Sequence, residues 1–320
     1  MTDLTVYLHR DFDGAASAAL VLRWLRRQYN PEQIRLTTVD YGEPWKDIRL
    51  FQPCAVVDFL YHPDATYFWD HHGSSFLSTE WEKDFDGRKD RREPVWYDAA
   101  EPSCASLIAR TIPLLDAEEV RDLVHWSIVI DAARYESVGQ VFASREPALR
   151  INLALADASE RLFVDVARGL STGSLEQVAE LPNVKERFAE AREVQLRELD
   201  YFKTRIRYVA GIVTADVTDE LLRFSRYSPY YFVREALYSV VLYREATRFK
   251  VLCMRNPWLE FESIDLGALC QGFGGGGHRR VGAVAFPFSE KTRAKAVLEE
   301  LRTVVAQHAT SVRQVISEPV

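Results

Sequence analysis

The sequence predicts an α/β protein in two parts: a mostly parallel sheet with helices on both faces, then a smaller α/β domain joined to it by a linker helix. Three observations predict it. Short apolar runs alternate with helical spacing through the first half of the chain, the pattern of strand–helix–strand units that build a parallel sheet. A long charged amphipathic stretch runs from Leu181 to Arg207, the kind of element that connects two lobes. Beyond it strand-like runs resume and close on one more helical pattern. The expected divisions are therefore residues 1–180, a linker helix over 181–207, and a second domain over 208–320.

In chain order, LTVYL (4–8) reads as a short buried strand. AASAALVLRWLRRQY (15–29) has helical spacing, with small residues in its first turns that permit close approach to a sheet. IRLTTVDY (34–41), CAVVDF (54–59) and TYFWDHH (66–72) read as further strands, separated by segments carrying Pro, Gly or charge. Residues 78–98 are charged and nonperiodic and are expected to form an exposed loop. SCASLIARTIPLL (103–115) and VRDLVHWSIVIDAARY (120–135) read as helices, the second apolar nearly all round and so expected to be buried. In the second domain YVAGIVTAD (208–216), residues 230–257 and VGAVAFPF (281–288) supply strand-like runs with a helix between them, and residues 290–308 a final helix.

Composition narrows the function. Hydrophobic residues make up 47% of the chain and charged residues 27%, the balance of an ordinary globular protein. The N-terminus lacks the basic start and apolar stretch of a signal peptide, and no run of about 18 apolar residues occurs, so no membrane partner and a cytoplasmic location are expected. Cys54, Cys104, Cys253 and Cys270 form no CxxC pair, which favours buried free thiols over a disulfide framework or a cysteine zinc site. A formal net charge of −7 argues against coating long duplex nucleic acid, which requires many phosphates to be neutralised. Small anionic ligands remain compatible where positive charge is local.

The chemistry concentrates in a few places. HRDFDG sets His9, Asp11 and Asp13 within five positions where a strand gives way to a helix. Asp13 alone could be an N-cap, and a lone His9 a hydrogen-bonded structural residue. Asp58 closes CAVVD, and strand C-termini in open α/β sheets are where ligand sites form. Asp131 lies inside SIVIDAA, where an ionised carboxylate is costly without a partner. DHH, at Asp70, His71 and His72, has no ordinary packing rationale. If these strands lie side by side, His9, Asp11, Asp13, Asp58 and His71 converge on one sheet edge. Carboxylates of Asp11, Asp13, Asp58 and Asp131 gathered among neutral imidazoles would carry untenable negative charge. Two divalent cations would neutralise it. Mixed histidine and carboxylate ligation favours Mn²⁺, with Co²⁺, Fe²⁺, Zn²⁺ or Mg²⁺ as alternatives, and two such ions roughly 3.5 to 4 Å apart can clamp a phosphoryl group during in-line displacement.

GFGGGGHRRVGAVAF (272–286) places four consecutive glycines before His278, Arg279 and Arg280. Such a run leaves backbone N–H groups of Gly275, Gly276 and Gly277 able to approach phosphate oxygens, with cationic side chains following; a flexible turn is the plainer reading of glycine alone. Trp258, Tyr230 and Tyr231 are of the type that stacks a base, but packing is the commoner role, and Arg255 is a weaker substrate-contact candidate.

Taken together, HRDFDG, VVDF, DHH, the Asp131 motif and GGGGHRRVGA resemble, in order and approximate spacing, the DHH phosphoesterases that carry the DHH-associated C-terminal domain. The resemblance spans nearly the whole chain. It implies a parallel-sheet domain with a two-metal site, a linker helix, and a smaller domain whose glycine loop binds substrate across the cleft. It implies further that His9 and Asp11 hold one metal, that Asp13, His71 and Asp131 hold the other, and that Asp58 bridges. Asp70 would support the site from behind, His72 would face the transferring phosphoryl or protonate the leaving oxygen, and His278 with the N–H groups of Gly275 to Gly277 would grip the substrate's other end. Arg279 and Arg280 depart from the small residues often found after that histidine, which indicates either a more phosphate-rich substrate end or a surface variation.

The expected function is a two-metal-dependent phosphodiesterase acting on short oligonucleotides, dinucleotides or cyclic dinucleotides. The alternatives are a phosphomonoesterase on a nucleoside bisphosphate, a pyrophosphate or polyphosphate hydrolase, or a noncatalytic nucleotide-binding protein on the same fold. The resemblance also admits a homodimer.

Overall fold

Alternating strands and helices in the first half of the chain assemble into a five-stranded, wholly parallel sheet. The computed structural model describes residues 4–26, 33–41, 44–113, 117–221 and 224–317; positions 27–29 and 114–115 of two expected helices lie outside them. The chain divides into two compact units, one of Met1–Tyr135 and Ser144–Arg192, the other of Glu136–Ala143 and Glu193–Val320.

In the first unit, β1 (Leu4–His9), β2 (Ile34–Val39), β3 (Cys54–Val57), β4 (Tyr67–Asp70) and β5 (Val95–Tyr97) stand in the order β2-β1-β3-β4-β5. The chain leaves β1 toward β2 and returns on the other side with β3, so the order reverses between β1 and β3, and open α/β sheets form ligand sites beyond the carboxyl ends at such a point. Helix α1 (Phe12–Leu25) is buried along most of its length: Ala15, Ala16, Ala18 and Ala19 are fully covered, and their small side chains bring the helix axis close to the sheet.

Two expectations are corrected. Residues 78–98 are not a loop: Ser78 caps α2 (Thr79–Asp90) by accepting from the Trp81 N–H, Phe85 and Arg88 are buried, and β5 follows. Its polar sequence is helical because Phe85, the partly buried Trp81 one turn before it and one buried guanidinium suffice to seat one face. Helix α4 (Ala117–Asp131), after α3 (Cys104–Thr111), is buried only along Val120, Leu123, Ser127 and Val129, so it lies on the surface of the unit rather than in its centre.

Between α4 and the long helix come α5 (Val138–Ala143), α6 (Pro147–Leu155), α7 (Glu160–Leu170) and α8 (Leu175–Ala179), elements the strand and helix reading above leaves unassigned. Helix α9 (Pro182–Lys203) falls within the expected linker, and the division between the two units runs through it.

The second unit is a six-stranded mixed sheet of β6 (Arg207–Val209), β7 (Ile212–Val217), β8 (Tyr238–Arg244), β9 (Phe249–Arg255), β10 (Gly276–His278) and β11 (Val281–Phe286), ordered β10-β11-β9-β8-β7-β6. Only β7 and β8 pair in parallel. With α10 (Ser228–Phe232), α11 (Leu266–Gln271) and the terminal α12 (Lys291–Ser317) it has its own core, in which Leu301, Val305 and Ala309 pack with Val240, Leu242 and Val251. Among the described residues, no helix is long and apolar enough to cross a membrane.

Candidate metal centre

The turn from β1 into α1 shows why HRDFDG is written as it is. Asp11, not Asp13, caps α1, accepting the Gly14 N–H at 2.8 Å. A Cβ on Gly14 would lie 2.3 Å from the His9 carbonyl oxygen, so only glycine lets the helix start this close to the strand end. Asp13 is released for another task. It is 2% exposed, and its carboxylate accepts the Cys104 N–H at 2.6 Å and the Ala105 N–H at 3.1 Å, at the start of α3.

Asp58 follows β3 with a φ of +60°, a region that costs a residue other than glycine about 1–3 kcal/mol. It is completely buried, and neither carboxylate oxygen has a hydrogen-bond partner. Its Oδ1 lies 3.5 Å from His71 Nε2 and its Oδ2 3.7 Å from His9 Nδ1. His71 Nε2 also lies 3.4 Å from Asp131 Oδ2, at the end of α4, and 3.8 Å from Asp13 Oδ2. His9 Nδ1 is 2.7 Å from Asp11 Oδ2, without the alignment of a good hydrogen bond.

The His71 tautomer follows from its other ring nitrogen. Nδ1 sits 3.1 Å from the Glu101 carbonyl oxygen, which only accepts, so Nδ1 carries a proton and Nε2 is the nitrogen left to face the carboxylates, free to ligate a metal. Asp13, Asp58, Asp131 and His71 thus converge with more acceptors than donors, a set that takes up protons or metal ions.

Two ligand sets result, His9, Asp11 and Asp58 on one side and Asp13, His71 and Asp131 on the other, each with donor atoms within 4.8 Å of one another. A third combination, Asp58, His71 and His72, meets the same limit, but His72 Nδ1 is engaged with Asp70 Oδ1 at 2.8 Å. Asp70 is fully buried and accepts from the Ser75 hydroxyl as well.

The electrostatics record the crowding. Burial, with the charges of Asp11 and Asp13, holds the Asp58 carboxyl well above the usual range. Burial and the neighbouring Asp131 and Asp11 push Asp13 up to about 8, against the two N–H groups that favour its ionised form. The Asp70 hydrogen bond lifts His72 to about 9.

All six expected metal ligands and both residues of the supporting pair therefore meet in the first unit. Sequence reasoning missed Glu101, whose contribution is a backbone carbonyl without residue signature, and Ser75, which braces Asp70. It also missed Phe59, stacked on His9 with centroids 5.6 Å apart, and Tyr41, edge-on to His9 at 5.2 Å; their signal was only adjacency to strand ends.

The glycine run lies in the second unit, and it is not an open loop. Gly276–His278 form the short edge strand β10, paired antiparallel with β11. A Cβ on Gly275 would sit 2.1 Å from the Ala283 carbonyl oxygen and one on Gly277, at φ +145°, 2.3 Å from that of Val281. The hairpin's own backbone demands these two glycines. Gly276 meets nothing within 4 Å. His278, Arg279 and Arg280 are exposed, and among the described residues no ion pair engages either arginine. Tyr230 is a core residue, fully buried with its hydroxyl bonded to the Met254 carbonyl, and Arg255 is tied to the carbonyls of Leu259 and Phe261.

Sheet order, switch-point site and second unit together define the DHH-domain fold. No protein-family model and no curated protein matches the sequence. Solved structures do. A pGpG-specific phosphodiesterase, PggH from Vibrio cholerae, is similar over 94% of this chain and 99% of its own, with a TM-score of 0.67 and 17% identity. RecJ in complex with Mn²⁺, from Thermus thermophilus, is similar over 93% of this chain at a TM-score of 0.56 and 14% identity. This chain spans 51% of that RecJ. The DHH domain of a member of a ribosomal protein family matches 93% of this chain and 86% of its own, with a TM-score of 0.54 and 12% identity. At these identities the likeness is one of fold.

Proposed function

We propose that the protein is a two-metal-dependent phosphodiesterase hydrolysing short oligonucleotides, dinucleotides or cyclic dinucleotides. The observation that carries this is the acceptor-rich cluster. Asp58 with two orphaned oxygens and His71 with an orphaned Nε2 are buried facing further carboxylates, and divalent cations satisfy such a set without raising the carboxyl pKa values. The residues fit the metals: His9 and Asp11 would hold one ion, Asp13, His71 and Asp131 the other, and Asp58 both. Mixed imidazole and carboxylate donors suit Mn²⁺. Bound there, divalent ions supply Lewis-acid charge that polarises a phosphoryl group and activates water for in-line attack.

The chain's own groups do the rest. Asp70 and Ser75 fix His72, whose side chain is 28% exposed, so that its remaining ring nitrogen reaches the departing oxygen as a proton or hydrogen-bond donor. The Glu101 carbonyl holds His71 in place, and α3 backbone N–H groups hold Asp13. In the second unit, Gly275, Gly276 and Gly277 with His278, Arg279 and Arg280 form a cationic hairpin suited to an anionic substrate end. The structural likeness to a pGpG phosphodiesterase and to a RecJ with Mn²⁺ supports membership of the DHH phosphoesterases and a nucleotide diester as substrate.

The test is turnover by Mn²⁺-reconstituted protein of pGpG, pApA, cyclic di-AMP, pAp and pyrophosphate, with products separated by chromatography. Release of mononucleotides from the linear dinucleotides, abolished by a chelator, is expected. Fast orthophosphate release from pyrophosphate beside negligible cleavage of every diester overturns the proposal.

A further inference from the structure

We infer that Tyr41 is a substrate-positioning residue, a stacking platform for the nucleobase next to the scissile phosphate. This rests on the phosphodiesterase reading and deepens it, by requiring a substrate that carries a base close to the metal centre.

The observation is a ring in an unusual place. Tyr41 follows the carboxyl end of β2 and is 49% exposed, although it adjoins one of the most thoroughly buried aromatic groups in the unit. Its ring is tilted against Phe59, centroids 5.1 Å apart, and edge-on to His9 at 5.2 Å. Phe59 is 1% exposed, stacks on His9, and is backed by the buried Trp45 at 5.0 Å with the two planes perpendicular. Tyr41 is thus held from behind by a rigid aromatic wall, while nearly half of its surface meets water one ring away from a residue placed among the metal ligands.

Scattered exposed aromatics need no explanation. This one is anchored, and anchoring an exposed ring gains little for the core. What it provides is a fixed π-face at low entropic cost beside a site that receives phosphoryl groups. A nucleobase attached through its sugar to the reacting phosphate is the apolar, flat group such a face takes up, and stacking accepts adenine and guanine alike because every base has a π-face.

The experiment compares wild type, Tyr41→Ala and Tyr41→Phe on two substrates, a linear dinucleotide (pGpG or pApA) and the same compound with both bases removed. Stacking predicts that Tyr41→Ala lowers kcat/KM on the dinucleotide about 5- to 100-fold, chiefly through KM, and lowers it at least fivefold less on the abasic compound. Tyr41→Phe, which keeps the ring, restores the dinucleotide value to within about twofold. Equal losses on both substrates overturn the inference, as does a Tyr41→Ala enzyme that matches wild type on the dinucleotide. So does loss of the Mn²⁺-induced thermal shift in Tyr41→Ala, which marks a structural role in holding His9. Wild type that cleaves neither compound overturns the phosphodiesterase reading and the stacking with it, whereas wild type that cleaves both while Tyr41→Ala keeps pace overturns the stacking alone.

Discussion

Replacing Asp58 by Asn should make the metal-free protein more stable and the metal-loaded protein less so. The carboxyl is fully buried with both oxygens unpartnered. Burial and the facing carboxylates raise its pKa, so ionising it in the folded state costs free energy that the unfolded chain is spared. The nearby imidazoles relieve part of that cost. The amide is isosteric, carries no charge, turns a donor toward His71 Nε2 at 3.5 Å, and tolerates φ +60° at least as well. A gain of about 2 kcal/mol at pH 7, the usual cost of a buried polar group left unsatisfied, is expected, which raises the Tm by about 4–8 °C for a unit of this size.

The sign of the pH dependence is fixed by the direction of the shift. Where the folded pKa is raised, the penalty is absent below the unfolded pKa and grows as pH rises toward the folded one, because the unfolded chain ionises more readily. The advantage of Asp58→Asn should therefore shrink on acidification and vanish near pH 4. In saturating Mn²⁺ the order reverses: an ion held at 100 times its Kd stabilises wild type by about 2.7 kcal/mol, and the variant gains little. Differential scanning fluorimetry from pH 4 to 8, with and without Mn²⁺, reads all of this. A metal-free variant less stable than wild type at pH 7, or one with an undiminished Mn²⁺ shift, would refute the claim that Asp58 is a charge awaiting cations.

Other substitutions separate packing from function. Gly275→Ala should break the β10–β11 hairpin, since its Cβ falls 2.1 Å from a backbone oxygen, whereas Gly276→Ala, with open space around it, should fold with a Tm within about 1 °C of wild type while raising KM; an unchanged KM removes Gly276 from substrate contact. Arg88→Ala should lose about 2–3 kcal/mol, or about 4–10 °C in Tm, because the guanidinium is bonded to the Tyr61 hydroxyl and to the carbonyls of Pro63 and Thr66; a loss under about 0.5 kcal/mol by urea titration counts against α2 being fastened through it. Cys54, Cys104, Cys253 and Cys270 are all buried free thiols, so a thiol reagent should label none within minutes under native conditions and all four in denaturant.

How far the sequence could be read depends on which physical signal each feature carried. The candidate metal cluster was legible because its evidence is residue type: carboxylates and imidazoles at strand ends are expensive wherever they are not neutralised, and that argument needs no coordinates. Which of two nearby carboxylates caps α1 was not legible, because the spacing of apolar residues locates a helix but not its first turn; the answer came from Gly14, whose missing Cβ fixes where α1 leaves the strand. Helix α2 was hidden for a related reason. Its polar sequence carries one pair of aromatic anchors, Trp81 and Phe85, and a buried arginine, too little to raise a sustained periodic signal above the surrounding charge. Groups that act through backbone, such as the Glu101 carbonyl behind His71, leave no trace in residue type at all.

The glycine run shows the limit most sharply. Glycine announces that something approaches the backbone closely, without saying what. At Gly275 and Gly277 the visitor is the neighbouring strand of the same chain, and the phosphate cradle is not needed to explain them. Gly276 is different, since no atom of the described protein comes near its missing Cβ and its φ is one any residue adopts. If a ligand governs any part of this run, it governs that position, and measuring KM for Gly276→Ala decides between an anion site and a hairpin that merely needs small residues.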